Sequence, residues 1–176
     1  MIHSSIRFAN ESDAEAIGLV HIRSWQKTYE HYIPDTVLSN LSLWDRTQQW
    51  KNLIREGVKV LVLETNKQII GFASVGDYRD ADKKNQSGEI SAIYLAPEYW
   101  RHGLGSKLCL AAMEELSKAG YQEVLLWVMS DNIQARLFYE KLGFQVTSKT
   151  KLEEFYEGGA LLKELLYKKN LSNKCI

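Results

Sequence analysis

Cysteine is scarce in this chain: Cys109 lies in an amphipathic helical pattern and Cys175 beside the C-terminus, so no disulfide framework holds the fold. That usage suits a reducing cytoplasm. Neither sign of charge is in excess, with 22 Lys plus Arg against 22 Asp plus Glu, and the balance draws neither nucleic acid nor an anionic membrane. Long apolar runs are missing too. The longest, Val124 to Met129, falls far below the roughly 20 residues of a bilayer-spanning helix. The opening stretch MIHSSIRFANESDAEA lacks the apolar core of an export signal. His3, His21, His31 and His102 are scattered without ligand spacing, which argues against a metal site. No Ser-His-Asp set, paired carboxylates, internal repeat or low-complexity tract is visible, so partners must be met in local sites.

What is present fits one domain. A chain of 176 residues buries about 70% of its unfolded surface in a single core, and we expect one domain over residues 5–170 with a basic, frayed tail at 171–176. Ser5 to Phe8 is a short strand pattern, and Asn10 or Ser12 can cap a helix running to about Tyr29, with Ile17, Val20, His21 and Trp25 at helical spacing. Ile33-Pro34 interrupts, Asp35 to Ser39 make a second short helix, and Leu43 to Arg55 a third. Val58 to Glu64 and Gln68 to Gly76 read as a hairpin, followed by a polar loop from Tyr78 to Gly88 that is too short to separate domains. Glu89 to Leu95 is a strand, Gly103 to Ala119 a helix, and Glu123 to Met129 an apolar strand covered on both faces. Asn132 to Lys141 is helical, with Ala135, Phe138, Tyr139 and Leu142 on one face. Phe144 to Thr150 and Ala160 to Lys168 close the pattern as strands, although LLKELLYKK also fits a helix. The sum is an α/β fold.

Between the strand ending at Leu95 and the next helix stands Gly103-Leu104-Gly105. Glycines there let the backbone approach a ligand, and a helix N-terminus offers unpaired N–H groups and a positive dipole end, so phosphate is the natural guest. A dinucleotide fingerprint needs Gly or Ala where Leu108 stands, and a Walker A loop needs Gly-Lys-Ser/Thr where the chain has Gly-Ser-Lys. Both fail on residues. The plain alternative is a tight turn into a helix.

The stretch from Glu89 to Phe144 resembles the GNAT superfamily of acyl-CoA-dependent N-acetyltransferases. Their signature joins a strand, Gln/Arg-x-x-Gly-x-Gly/Ala, a helix, an apolar strand and Asn-x-x-Ala-x-x-Phe-Tyr-x-x-x-Gly-Phe. The second half matches at Asn132, Ala135, Phe138, Tyr139, Gly143 and Phe144. IRFANESDAEAI and SWQKTYEHYIP also look like the first strand and substrate-side helices of bacterial members, so the likeness covers nearly the whole chain. One departure stands at the Gln/Arg position, which is Trp100, with Arg101 one step later.

The resemblance implies a mixed, mostly antiparallel central sheet flanked by helices and split at an acyl-CoA cleft. It also implies acetyl-CoA as co-substrate, with the amides of Arg101, His102, Gly103, Leu104, Gly105 and Ser106 holding the pyrophosphate. The backbone of Tyr94 and Leu95 would pair with the pantetheine arm. Asn132 resembles the residue near the pantetheine, with a local helix cap as the alternative. Arg101, His102 and Lys107 can meet phosphates or stay solvated; a lysine in a first helical turn is unfavourable unless an anion is near.

Acetyl transfer to an amine needs a neutral nucleophile, a stabilised oxyanion and a protonated leaving thiolate. By resemblance, Tyr139 is the general acid at the thiolate; by its stripe alone it is core. Glu89 matches the general base of some members, directly or through water, against a solvated strand-end carboxylate or a water chain on backbone carbonyls. The oxyanion would meet a backbone N–H near Leu95, and transfer goes directly to the amine without a cysteine nucleophile. Trp25, Tyr29 and Tyr32, with Tyr156, would supply the acceptor surface, packing being the alternative. The implied substrate is a small amine, an amino acid or a protein amine, and a homodimer through the late strands is left open. A non-catalytic acyl-CoA sensor and a nucleotide-binding Rossmann domain are the competing readings.

Overall fold

A computed structural model of the protein describes residues 3–79 and 86–171. Most of the expected polar loop, and the tail with Cys175, lie outside them. The strands are β1 (Ser5–Phe8), β2 (Lys59–Thr65), β3 (Gln68–Asp77), β4 (Ser87–Leu95), β5 (Glu123–Met129), β6 (Gln145–Glu154) and β7 (Leu161–Asn170). The helices are α1 (Ala14–Thr28), α2 (Asp35–Leu38), α3 (Leu43–Arg55), α4 (Leu104–Lys118) and α5 (Ile133–Lys141). The strands hydrogen-bond in the order β1-β2-β3-β4-β5-β7-β6, an open sheet flanked by helices. It is mixed: β1–β2, β2–β3, β5–β7 and β6–β7 pair antiparallel, and β4–β5 parallel. The residues group into two compact units, Met1–Val75 with Ala92–Ala112, and Gly76–Ser91 with Met113–Ile176.

In the first unit, Asn10 starts the chain into α1 through a capping box: its side chain accepts from the Ser12 amide at 2.9 Å while Asp13 accepts from the Asn10 amide at 2.8 Å. Arg7 ties Asp13 and Glu64, each at 2.7 Å, so β1, β2 and the helix entry share one ion cluster. The stripe of α1 buries Ala14, Ile17, Val20 and His21 against Trp50 of α3 and Val60, Val62 and Phe72 of the sheet. Asn66 and Lys67, at φ 48° and 64°, make the left-handed turn that closes the β2–β3 hairpin. Gly71 on β3 admits β4 closely, since a Cβ there would stand 2.8 Å from Leu95 Cδ1 and 3.0 Å from the Tyr94 carbonyl oxygen.

In the second unit, Ser87 to Glu89, the first residues of β4, pair with Glu123 to Leu125 of β5. The segment LLKELLYKK is strand, not helix. Its residues pair with β5 along one edge and β6 along the other, and that two-sided ladder outweighs a helical preference. Tyr167 is fully buried, its hydroxyl donating to Glu140 Oε1 at 2.8 Å and accepting from Arg136 Nε at 3.1 Å, which pins α5 to β7.

Candidate active site

The first unit carries the expected anion cradle. After β4 the chain passes through a single 3-10 turn, Pro97–Tyr99, and then places Arg101 (φ 63°) and Gly103 (φ 77°) in left-handed conformations before α4 begins. Gly103 accepts the first helical bond, from the Lys107 amide at 3.1 Å, so it occupies the cap position. A glycine brings no side-chain oxygen to a cap. The amides of Leu104, Gly105 and Ser106 precede the first intrahelical bond, and no side chain among the described residues caps them, at the positive end of a 15-residue helix. Leu104 is buried and anchors the turn, Gly105 and Ser106 are half-buried, and Arg101 and His102 are exposed beside them. No carboxylate among the described residues pairs with Arg101.

Two neighbours of the cradle differ from expectation. Trp100, at the Gln/Arg position of the motif, turns its indole back and donates from Nε1 to the Leu95 carbonyl oxygen at 2.6 Å. Lys107 does not wait for an anion: its ammonium donates to the Ser4 carbonyl and, at 2.9 Å, to Ser4 Oγ. The helix-end penalty is offset by these oxygens instead.

The same unit gathers an aromatic cluster. Trp25 donates from Nε1 to the Tyr94 hydroxyl at 3.0 Å and packs on Tyr29 with ring centroids 5.0 Å apart. Tyr32 stands in the turn after α1, exposed, its amide bonded to the Tyr29 carbonyl. Trp25 and Tyr29, two of the expected acceptor-side residues, are thus joined by the side chain of Tyr94, which lay outside the expected set.

His21, placed by the sequence at helical spacing along the first helix, lies at the centre of this cluster. Its ring stacks on Tyr94 at 4.6 Å and meets the edges of Trp25 and Phe72 at 5.8 Å. Trp50 Nε1 donates to His21 Nδ1 at 3.1 Å, which fixes the neutral tautomer with its proton on Nε2. Burial, aided by the charge of Arg46, pushes the imidazole from its ordinary 6.5 down to about 3. Inside this fold the ring is a hydrogen-bond donor rather than a base. The signal for it was a histidine on an apolar helical stripe; its partner Trp50 lies 29 residues away.

The second unit holds the remaining three. Glu89 is not a solvated strand end. β4 begins two residues earlier, Glu89 sits opposite Leu125, and it is only 2% exposed. Its carboxylate accepts from the Arg79 amide at 3.2 Å, Nε at 3.3 Å and Nη2 at 2.9 Å. Arg79 itself is largely exposed. Asn132 caps α5, its Oδ1 accepting from the Ala135 amide at 3.0 Å, which leaves the amide nitrogen of the side chain for another partner. Tyr139 is buried on α5 between Phe138 and Phe144, at centroid distances of 5.0 and 5.6 Å. Among the described residues, no three His, Cys, Asp or Glu side chains gather closely enough to hold a metal ion, and no helix is long and apolar enough to cross a membrane.

The model of the Acetyltransferase (GNAT) family matches residues 6–144, which include the whole cradle and both candidate catalytic residues. The chain belongs to the GNAT family of acetyltransferases. It is 31% identical to the N-acetyltransferase YuaI of Bacillus subtilis over 161 residues, 92% of this chain and 90% of that protein. It is 32% identical over 152 residues to MnaT of Escherichia coli, an L-amino acid N-acyltransferase, covering 82% of this chain and 81% of the relative. An acetyltransferase of Salmonella typhimurium, solved with acetyl-CoA, superposes with a TM-score of 0.73 at 24% identity, covering 99% of this chain and 97% of the other. That likeness speaks for the fold. As a GNAT acetyltransferase, this chain's activity is acetyl transfer from acetyl-CoA to an amine.

Proposed function

We propose that this GNAT acetyltransferase acetylates the primary amine of a small molecule, in a ternary complex in which the amine attacks acetyl-CoA directly. The single observation that supports it most is the uncapped first turn of α4 behind Gly103. Three amides stand there, and among the described residues no side-chain oxygen competes for them and Arg101 beside them has no acidic partner. This donor set suits a pyrophosphate, which carries the negative charge that a helix N-terminus favours.

Acetyl-CoA supplies the activated acetyl group. The remaining chemistry belongs to the chain. Leu104, Gly105 and Ser106 hold phosphate oxygens through their amides, with Arg101 and His102 alongside. The Tyr94–Leu95 backbone lines the pantetheine arm, and the Trp100 indole on the Leu95 carbonyl fixes that end of the strand in place of a side chain reaching the coenzyme. Asn132 is assigned to the pantetheine through its side-chain nitrogen. Tyr139 is assigned as the acid that gives its phenolic proton to the leaving sulfur, and Glu89 as the carboxylate that takes the amine's proton through water. Before Glu89 can do so, the Arg79 bonds must loosen. Trp25, Tyr29 and Tyr32 form the acceptor side.

An amino acid is the acceptor class we favour. MnaT is named for L-amino acids, and a second relative of equal identity, from Salmonella typhimurium, for L-methionine sulfoximine and L-methionine sulfone. We place the enzyme in the cytoplasm, where the buried Cys109 stays a reduced thiol. The test is thiol release from acetyl-CoA across a panel of amines. Amine-dependent release with formation of the N-acetyl product is expected; absence of release with every amine, at saturating acetyl-CoA, overturns the reading.

A further inference from the structure

Arg7, Arg23, Arg55 and Arg79 each hold a carboxylate within 2.9 Å. Arg46 does not. Its guanidinium lies 5.4 Å above the Trp25 ring and donates only to the neutral Gln49 amide oxygen at 2.7 Å; no carboxylate among the described residues pairs with it. A half-buried arginine laid on an aromatic face is well placed to meet a planar anion, because its fork of donors matches two oxygens at once.

A second donor borders the same ring. His21 is only 7% exposed, and Trp50 takes its Nδ1. Ring geometry directs Nε2–H away from Trp50, and no acceptor among the described residues receives it. No fully buried side-chain nitrogen or oxygen among those residues lacks a partner, so this edge of the imidazole reaches accessible space. A donor open to solvent beside an aromatic wall can exchange its water for a ligand oxygen. The Arg46 charge acts on His21, and both groups neighbour Trp25, at 5.4 and 5.8 Å.

We propose that Arg46 and His21 Nε2–H together receive the carboxylate of the acceptor, so that the preferred acceptors are amines bearing that group, with the carbon skeleton against Trp25 and Tyr94. This rests on the acetyl-transfer reading above and narrows its acceptor. His21 acts as a neutral donor throughout and takes no proton from the amine.

The test is calorimetric titration of the coenzyme A-saturated protein with L-methionine and L-phenylalanine, each against its carboxamide. These probes suit an aromatic wall. Each amino acid is expected to bind at least about tenfold more tightly than its amide, the scale of a charge-assisted hydrogen bond. Arg46→Met, which keeps an aliphatic stem on Trp25, is expected to erase most of that difference while amide binding stays. Arg46→Lys is expected to restore part of it. Equal affinity for acid and amide, no binding of either amino acid, or a preference unchanged in Arg46→Met overturns the proposal. The coenzyme A titration that precedes each run reports separately on the acetyl-transfer reading: binding there without a carboxylate preference sinks this inference alone.

Discussion

Lowering the pH from 7.5 to 5.0 should cost this protein a defined amount of stability through His21. In the fold its imidazole resists protonation down to about 3, whereas the unfolded chain takes the proton near 6.5. Below pH 6.5 the unfolded state therefore binds a proton that the folded state refuses, and stability falls as pH falls, levelling off near 3. At about 1.36 kcal/mol per pH unit, the loss is about 2 kcal/mol at pH 5 and roughly 5 kcal/mol at the limit. For a chain of this size each kcal/mol moves the melting temperature by about 2–4 °C, so His21 alone accounts for about 4–8 °C between the two pH values. The control is His21→Asn, whose amide oxygen can still accept from Trp50 but which cannot titrate. Its absolute stability drops because the ring is lost, yet its melting temperature should fall less on acidification than the wild type's, by that margin. Asp13 and Glu11, held low by Arg7 and Arg55, also weaken the fold in acid, but they are common to both proteins and cancel. Parallel melting curves for the two proteins would refute the neutral, Trp50-locked imidazole.

Two substitutions separate the catalytic assignments. Tyr139→Phe should lower kcat by about a hundredfold or more, with coenzyme A affinity unchanged, if the phenol protonates the sulfur; rapid-mixing thiol assays decide, and an unchanged kcat removes that role. Glu89→Gln keeps the shape and can still accept from Arg79. If Glu89 is the base, kcat/KM should fall by about 10² at pH 7 and recover as rising pH deprotonates the amine itself. A pH-independent loss accompanied by a lower melting temperature would assign Glu89 to holding the Arg79 segment instead.

Much of this was legible in the sequence, and the misses share one cause. The bounds of α3 and β5 follow from local pattern alone, and Asn132 announces its cap three residues before Ala135. The left-handed turn at Gly103 was written in the strand-Gly-x-Gly-helix spacing. What escaped depends on partners distant in sequence. β6 runs on to Glu154 because it is paired along β7 past a register shift between Val146 and Thr150, which no local pattern encodes. The burial of Glu89 escaped because its guard, Arg79, stands in a polar stretch before it. His21 showed only helical spacing because Trp50 and Tyr94 reach it through the tertiary fold. Lys107 looked unpaired for the same reason: Ser4, its acceptor, is 103 residues away.

The central claim is that the amides behind Gly103 grip the coenzyme's diphosphate, and it is tested most directly by titrating coenzyme A and pantetheine separately into the protein in a calorimeter. Pantetheine carries the arm without the diphosphate. A clear binding isotherm for coenzyme A and an affinity for pantetheine weaker by at least about a hundredfold, as loss of several charge-assisted bonds requires, is the predicted result. Equal affinities, or no heat from coenzyme A, would contradict it.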